Sequence, residues 1–102
     1  MELHRNEVPS GWVWALHIRS RGTYDEHEFI EWFITPQESS AAFRDLVADH
    51  KRNGTGSVIM RWKVCLPRPR MSAEDVTAYV EDTLRTEPNG WAQLLDVSRQ
   101  GA

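Results

Sequence analysis

One cysteine, Cys65, stands among 102 residues, so no disulfide closes within the chain. Disulfide stapling is therefore excluded, and a reducing compartment is expected. No apolar run approaches the roughly 20 residues that a membrane-spanning helix needs. The opening stretch MELHRNEVPSG is charged from its second residue and lacks the apolar segment of a secretion signal. The expected location is cytoplasmic, with no membrane partner. Lysine is scarce, two against ten arginines, and acidic residues outnumber basic ones to give a net charge of −3. A broadly cationic nucleic-acid binder is disfavoured on that balance, although a local basic patch is not.

Recognisable chemistry is also missing. Ser39-Ser40 has no G-x-S-x-G elbow around it. Gly54-Thr55-Gly56-Ser57 is glycine-rich but leads into a strand pattern, whereas a phosphate loop leads into a helix and carries a lysine. The four histidines are scattered. No metal-ligand or catalytic spacing stands out, and no cofactor is implied. There is no internal repeat and no low-complexity segment.

What the chain does have is tryptophan: five, within a composition that is 40% hydrophobic and 26% charged. That composition predicts a single folded domain over 1–102. Residues 1–10 read as a loosely ordered arm that gains order at Val8, and 67–71 as a Pro/Arg linker. Gly11 to Gly22 holds the first strand, about Trp12 to Arg19. Trp12, Trp14, Leu16 and Ile18 alternate with Val13, Ala15, His17 and Arg19, which puts the two sets on opposite faces. Residues Arg21 to Asp25 form a turn, and a second strand runs about Glu26 to Thr35. Ile30, Trp32 and Ile34 share one of its faces; His27, Phe29, Glu31 and Phe33 share the other. Large apolar groups on both faces imply that the second face is covered too, or meets a partner.

Thr35-Pro36-Gln37-Glu38 is a capping-box helix start with proline at the first helical position. The helix extends to about Arg52 with Phe43, Leu46, Val47 and His50 in one stripe, and Asn53-Gly54 stops it. A third strand follows, about Ser57 to Leu66. A second helix starts at Ser72 and runs to about Arg85, with Val76, Tyr79, Val80, Thr83 and Leu84 inward. Pro88-Asn89-Gly90 breaks the chain. The tail from Trp91 to Val97 fits a short helix or an edge strand, and its spacing leans to helix.

The order strand, strand, helix, strand, helix predicts an α+β two-layer sandwich. Its sheet is three-stranded and mainly antiparallel, in order 2-1-3, a split β-α-β unit. Both helices are expected on the face carrying Trp12, Trp14, Leu16, Ile30, Trp32, Met60 and Trp62. The alternative order 1-2-3 pairs strands two and three in parallel. In the 2-1-3 arrangement the open face presents His17, Arg19, His27, Phe29, Glu31, Phe33, Ile59, Arg61, Lys63 and Cys65.

Three functions fit that surface. The favoured one is a small non-enzymatic interaction or regulatory protein. It is expected to form a homodimer or bind another protein through His17, Arg19, His27, Phe29, Glu31, Phe33, Arg61 and Lys63. The second is a nucleic-acid-binding regulator, in which Arg19, Phe29, Phe33, Arg61, Lys63, Arg68 and Arg70 offer rings for bases and cations for phosphates. The third is a small enzyme or ligand-binding domain with a pocket lined by Trp12, Trp32 and Trp62. Within it, His17, His27 and Glu31 could approach as an acid–base or metal set, although their spacing is loose. The mundane reading is that acidic Asp25, Glu26, Glu28 and Glu31 pair with Arg19, Arg21, Arg61 and Lys63 to fix strand register. Cys65 reads as a half-buried small hydrophobe.

Overall fold

In the computed structural model, residues 7–8, 11–21, 26–53, 56–86 and 91–100 are described. The chain builds β1 (Glu7–Val8), β2 (Trp12–Arg21), β3 (Glu26–Phe33), α1 (Pro36–Asn53), β4 (Gly56–Cys65), β5 (Met71–Ser72), α2 (Ala73–Thr86) and β6 (Ala92–Gln100). This is an α+β arrangement of two helices with two antiparallel sheets. The turn at 22–25 and the break at 88–90 lie outside the described residues.

The main sheet runs β3-β2-β4-β6 with every neighbouring pair antiparallel. Its first three strands keep the anticipated 2-1-3 order, with β2 between its hairpin partner and the strand after the crossover helix. A three-stranded sheet is corrected to four strands by β6, which pairs with β4 from Val64↔Ala92 to Ser57↔Gln100. The tail is therefore an edge strand and not a helix. A ladder irregularity between Arg61 and Trp62 explains the misleading spacing. Arg61 pairs with Asp96 and Trp62 with Leu94, so Leu95 is the extra residue of a bulge. The extra residue leaves Trp91, Leu94 and Leu95 at spacings of three and one, which imitates one face of a helix.

The larger correction concerns the helices. They lie on opposite faces of the sheet, not together on one. α2 inserts Val76, Val80 and Leu84 against Val13, Ala15 and Val64, with Ile30, Trp32 and Trp62 around them. α1 packs Phe43, Leu46 and Val47 on Leu16, Ile18 and Ile59. Side chains alternate along a strand, so the odd residues of β2 face α2 and the even ones face α1. The hairpin register, Trp14↔Phe33 and Ala15↔Trp32, sorts β3 accordingly. Ile30 and Trp32 thus join the α2 face, and Trp12, Trp14, Leu16 and Ile18 share the α1 face with Phe29, Glu31 and Phe33. The physical reason is that β2 is apolar on both sides: Val13, Ala15 and Leu16 are wholly buried and Ile18 nearly so. Each face needs its own cover.

Local chemistry fixes the helix starts as the sequence implies. The Thr35 Oγ1 accepts from the Glu38 backbone N–H at 3.2 Å and donates to Glu38 Oε1 at 3.1 Å. The Ser72 Oγ accepts from the Asp75 N–H at 3.1 Å. Just before it, β5 pairs with β1, so within the expected arm Val8 meets Met71 and both are buried against α2. Arg70 reaches that pairing in the left-handed region, φ 61°, and its N–H donates to the Val8 carbonyl. No helix among the described residues is long and apolar enough to cross a membrane.

Candidate functional site

With helices on both faces, the residues expected on one open surface separate. His17 and Arg19 lie on the α2 face. His27, Phe29, Glu31, Phe33, Ile59, Arg61, Lys63 and Cys65 lie on the α1 face, by the registers of β2 with β3 and β4. Phe33 and Ile59 pack beneath α1. Cations of the basic set are individually engaged. Arg61, only 15% exposed along its side chain, donates from Nε to Asp96 at 2.7 Å and from Nη1 to Ser39 Oγ at 3.0 Å. Arg68 pairs with Asp75 at 3.3 Å and Arg70 with Glu7 at 3.2 Å. The Lys63 ammonium sits 4.1 Å from the Trp12 ring centre and 5.9 Å from that of Trp14. Such contacts are cation–π attractions. Trp32 and Trp62 belong to the α2 face and Trp12 to the other, so the three tryptophans do not line one pocket.

The histidine set also comes apart, because His17 and His27 face opposite sides of the sheet. His17 finds a different carboxylate. Its imidazole is 1% exposed, and Nε2–H donates to Glu28 Oε2 at 2.6 Å. Arg85 from α2 reaches Glu28 Oε1 at 3.0 Å, and Arg19 stands 3.5 Å from Oε2. The His17 hydrogen bond, ahead of the positive charges of Arg85 and Arg19, holds the Glu28 carboxyl below its ordinary range, against the opposing effect of its desolvation. The His17 Nδ1 is buried with no partner among the described residues. This cluster ties the α2 C-terminus to the hairpin. No group of three or more His, Cys, Asp or Glu suited to a metal ion comes together among the described residues.

Exposed apolar side chains stand at both borders of the main sheet. β6 borders the sheet with only β4 as its described neighbour, and it presents Leu94 (44% exposed) and Val97 (47% exposed). The nine-residue strand holds no proline or lysine, and its devices against strand pairing are Asp96, Arg99 and a single bulge. Next to it, between α1 and β6, runs a groove of about 420 Å³. Phe43, Val47 and Ala48 give it an apolar floor, the β6 stretch Val97–Ser98 borders it, and Arg44 and Lys51 stand at its rim. α1 places them there by helical spacing: positions 44, 48 and 51 fall on one flank, beside the inward stripe of 43 and 47. At the other border β3 exposes Phe29 (55%) together with His27 and Glu31. Comparison with family models, curated proteins and solved structures finds no match to this chain.

Of this surface, sequence reasoning names Phe29 and Glu31 and places Phe43 and Val47 in the helix stripe. It misses Arg44, Ala48, Lys51, Leu94 and Val97. Their signal was the edge-strand alternative for the tail: once 91–97 is a strand, its outer border needs a cover.

Proposed function

We propose that the protein is a non-enzymatic interaction module that self-associates by strand pairing at the β6 edge. The observation that carries this reading is the long β6 border with exposed Leu94 and Val97 lying directly beside an apolar groove. Strand addition uses these two parts together. Main-chain hydrogen bonds along the edge supply affinity, and a pocket beside it receives alternate side chains. The working surface is thus an edge, where the sequence had suggested a face.

Dispersal of the basic residues weighs against the nucleic-acid reading, since Arg61, Arg68 and Arg70 are each held by a carboxylate. The separated tryptophans weigh against a Trp-lined ligand pocket. The test is sedimentation velocity over a hundredfold concentration range for the wild type and Val97→Lys. A lysine on an edge strand opposes pairing without entering the core. Association that grows with concentration in the wild type and disappears in the variant supports the reading. Association unchanged by V97K would contradict it.

A further inference from the structure

The occupant of the β6 edge follows from the register of the sheet. Phe29 pairs with Ile18, Ile18 with Ile59, and Ile59 with Ser98, so one rung crosses all four strands on the α1 face. The next rung on that face runs from Glu31 through Leu16 and Arg61 to Asp96. β3 and β6 run in opposite directions, because three antiparallel pairings separate them. A second copy placed beside β6 in the same orientation therefore brings its own β3 antiparallel to β6. Its α1 then falls on the same side of the extended sheet. Continuing the rungs sets the incoming Phe29 next to Ser98, at the mouth of the groove floored by Phe43, Val47 and Ala48. The incoming Glu31 arrives on the Arg61–Asp96 rung, where that carboxylate would face Asp96. Asp96 is already matched to Arg61, and Arg44 lines the surface next to Arg61 as well as the groove, without an ion pair among the described residues.

We infer that copies of this chain join head to tail, β3 of one on β6 of the next, with Phe29 seated in the α1–β6 groove and Glu31 beside Arg44. This rests on the strand-pairing reading above and specifies its partner. Complementarity selects this pairing over the symmetric ones. Two β3 edges would bring acidic hairpins together, and two β6 edges would bring the cationic Arg44 and Lys51 flanks together. Like charges across a pairing are unfavourable, and only the head-to-tail arrangement sets cations beside the facing carboxylates, Arg61 for Asp96 and Arg44 for Glu31. A heterologous contact of this kind closes into a ring or continues as a filament, according to the sheet twist.

Complementation between two blocked variants tests the inference. Val97→Lys blocks the β6 border and Phe29→Lys blocks the β3 border; both side chains are exposed, and circular dichroism with thermal melting verifies folding. Head-to-tail assembly predicts that each variant alone sediments as a monomer. Their equimolar mixture should sediment as a dimer of about twice that mass, since each supplies the border the other lacks. F29K assembling alone as the wild type does would overturn the inference while leaving strand pairing at β6 intact. So would a mixture that remains monomeric when the wild type assembles and V97K does not. V97K assembling as the wild type does, or a wild type that stays monomeric throughout, would overturn both.

Discussion

At the scale of single residues, Glu28 joins several partners at once. It accepts the hydrogen bond of a buried imidazole and meets two arginines from different elements. Glu28→Gln removes a charged acceptor, and the loss expected at pH 7 is about 1–2 kcal/mol. Folding holds this carboxyl below its ordinary value of 4.5. Its contribution is therefore complete above that value and drains away as pH falls through the lower folded value. Urea denaturation at a series of pH values checks this. Wild type and E28Q should differ most at neutral pH and converge in acid; equal stability at pH 7 would refute the role. Trp32 presents a simpler case. Its Nε1–H donates to Thr77 Oγ1 at 2.8 Å, joining β3 to α2. Trp32→Phe should cost about 1–2 kcal/mol in the same denaturation experiment, from the lost hydrogen bond and reduced burial.

Elements respond as separate layers. Val80 on α2 and Leu46 on α1 serve cores on opposite faces of the sheet. Val80→Ala and Leu46→Ala should each destabilise by about 2 kcal/mol, from lost burial and the cavity left behind. In the double variant the costs should add to within about 0.5 kcal/mol, because the sites share no partners. A coupling beyond about 1 kcal/mol would argue that the helices share one core. The sequence made the elements legible because their signals are local: Thr35 with Glu38, Ser72 before α2, and the stripe Val76, Val80, Leu84. It also carried the order of the first three strands, through the hairpin and the crossover helix. The side of the sheet that each helix takes was harder to read. That depends on hairpin register, and a one-residue slip exchanges Trp32 with Phe33 between faces. The doubly apolar β2 held the clue, since Val13 to Ile18 offer neither face to water. The tail was obscured by a single inserted residue, Leu95, which turned a period of two into a spacing of three.

For the whole molecule, head-to-tail assembly as proposed would give the two borders different parts, one seated and the other receiving. Phe29 and Glu31 stand out from β3, while Val97, the groove and Arg44 flank β6. The candidate site was illegible in the sequence for that reason: it forms only when residues 29–31, 43–51 and 94–98 are brought to the two ends of one sheet. Arg44→Glu or Glu31→Arg alone should weaken association by about five- to tenfold, on the order of 1 kcal/mol. Chains carrying both changes should recover it, which analytical ultracentrifugation would read directly. Added salt should weaken the wild-type association by screening the same pair.

The most direct test of head-to-tail assembly is amide hydrogen exchange on the wild type, dilute and concentrated. The outward amides of β6 and of β3 should slow together as concentration rises, while those exposed on α2 stay unchanged. Exchange at either border that is independent of concentration, or slowing confined to β6, would contradict it.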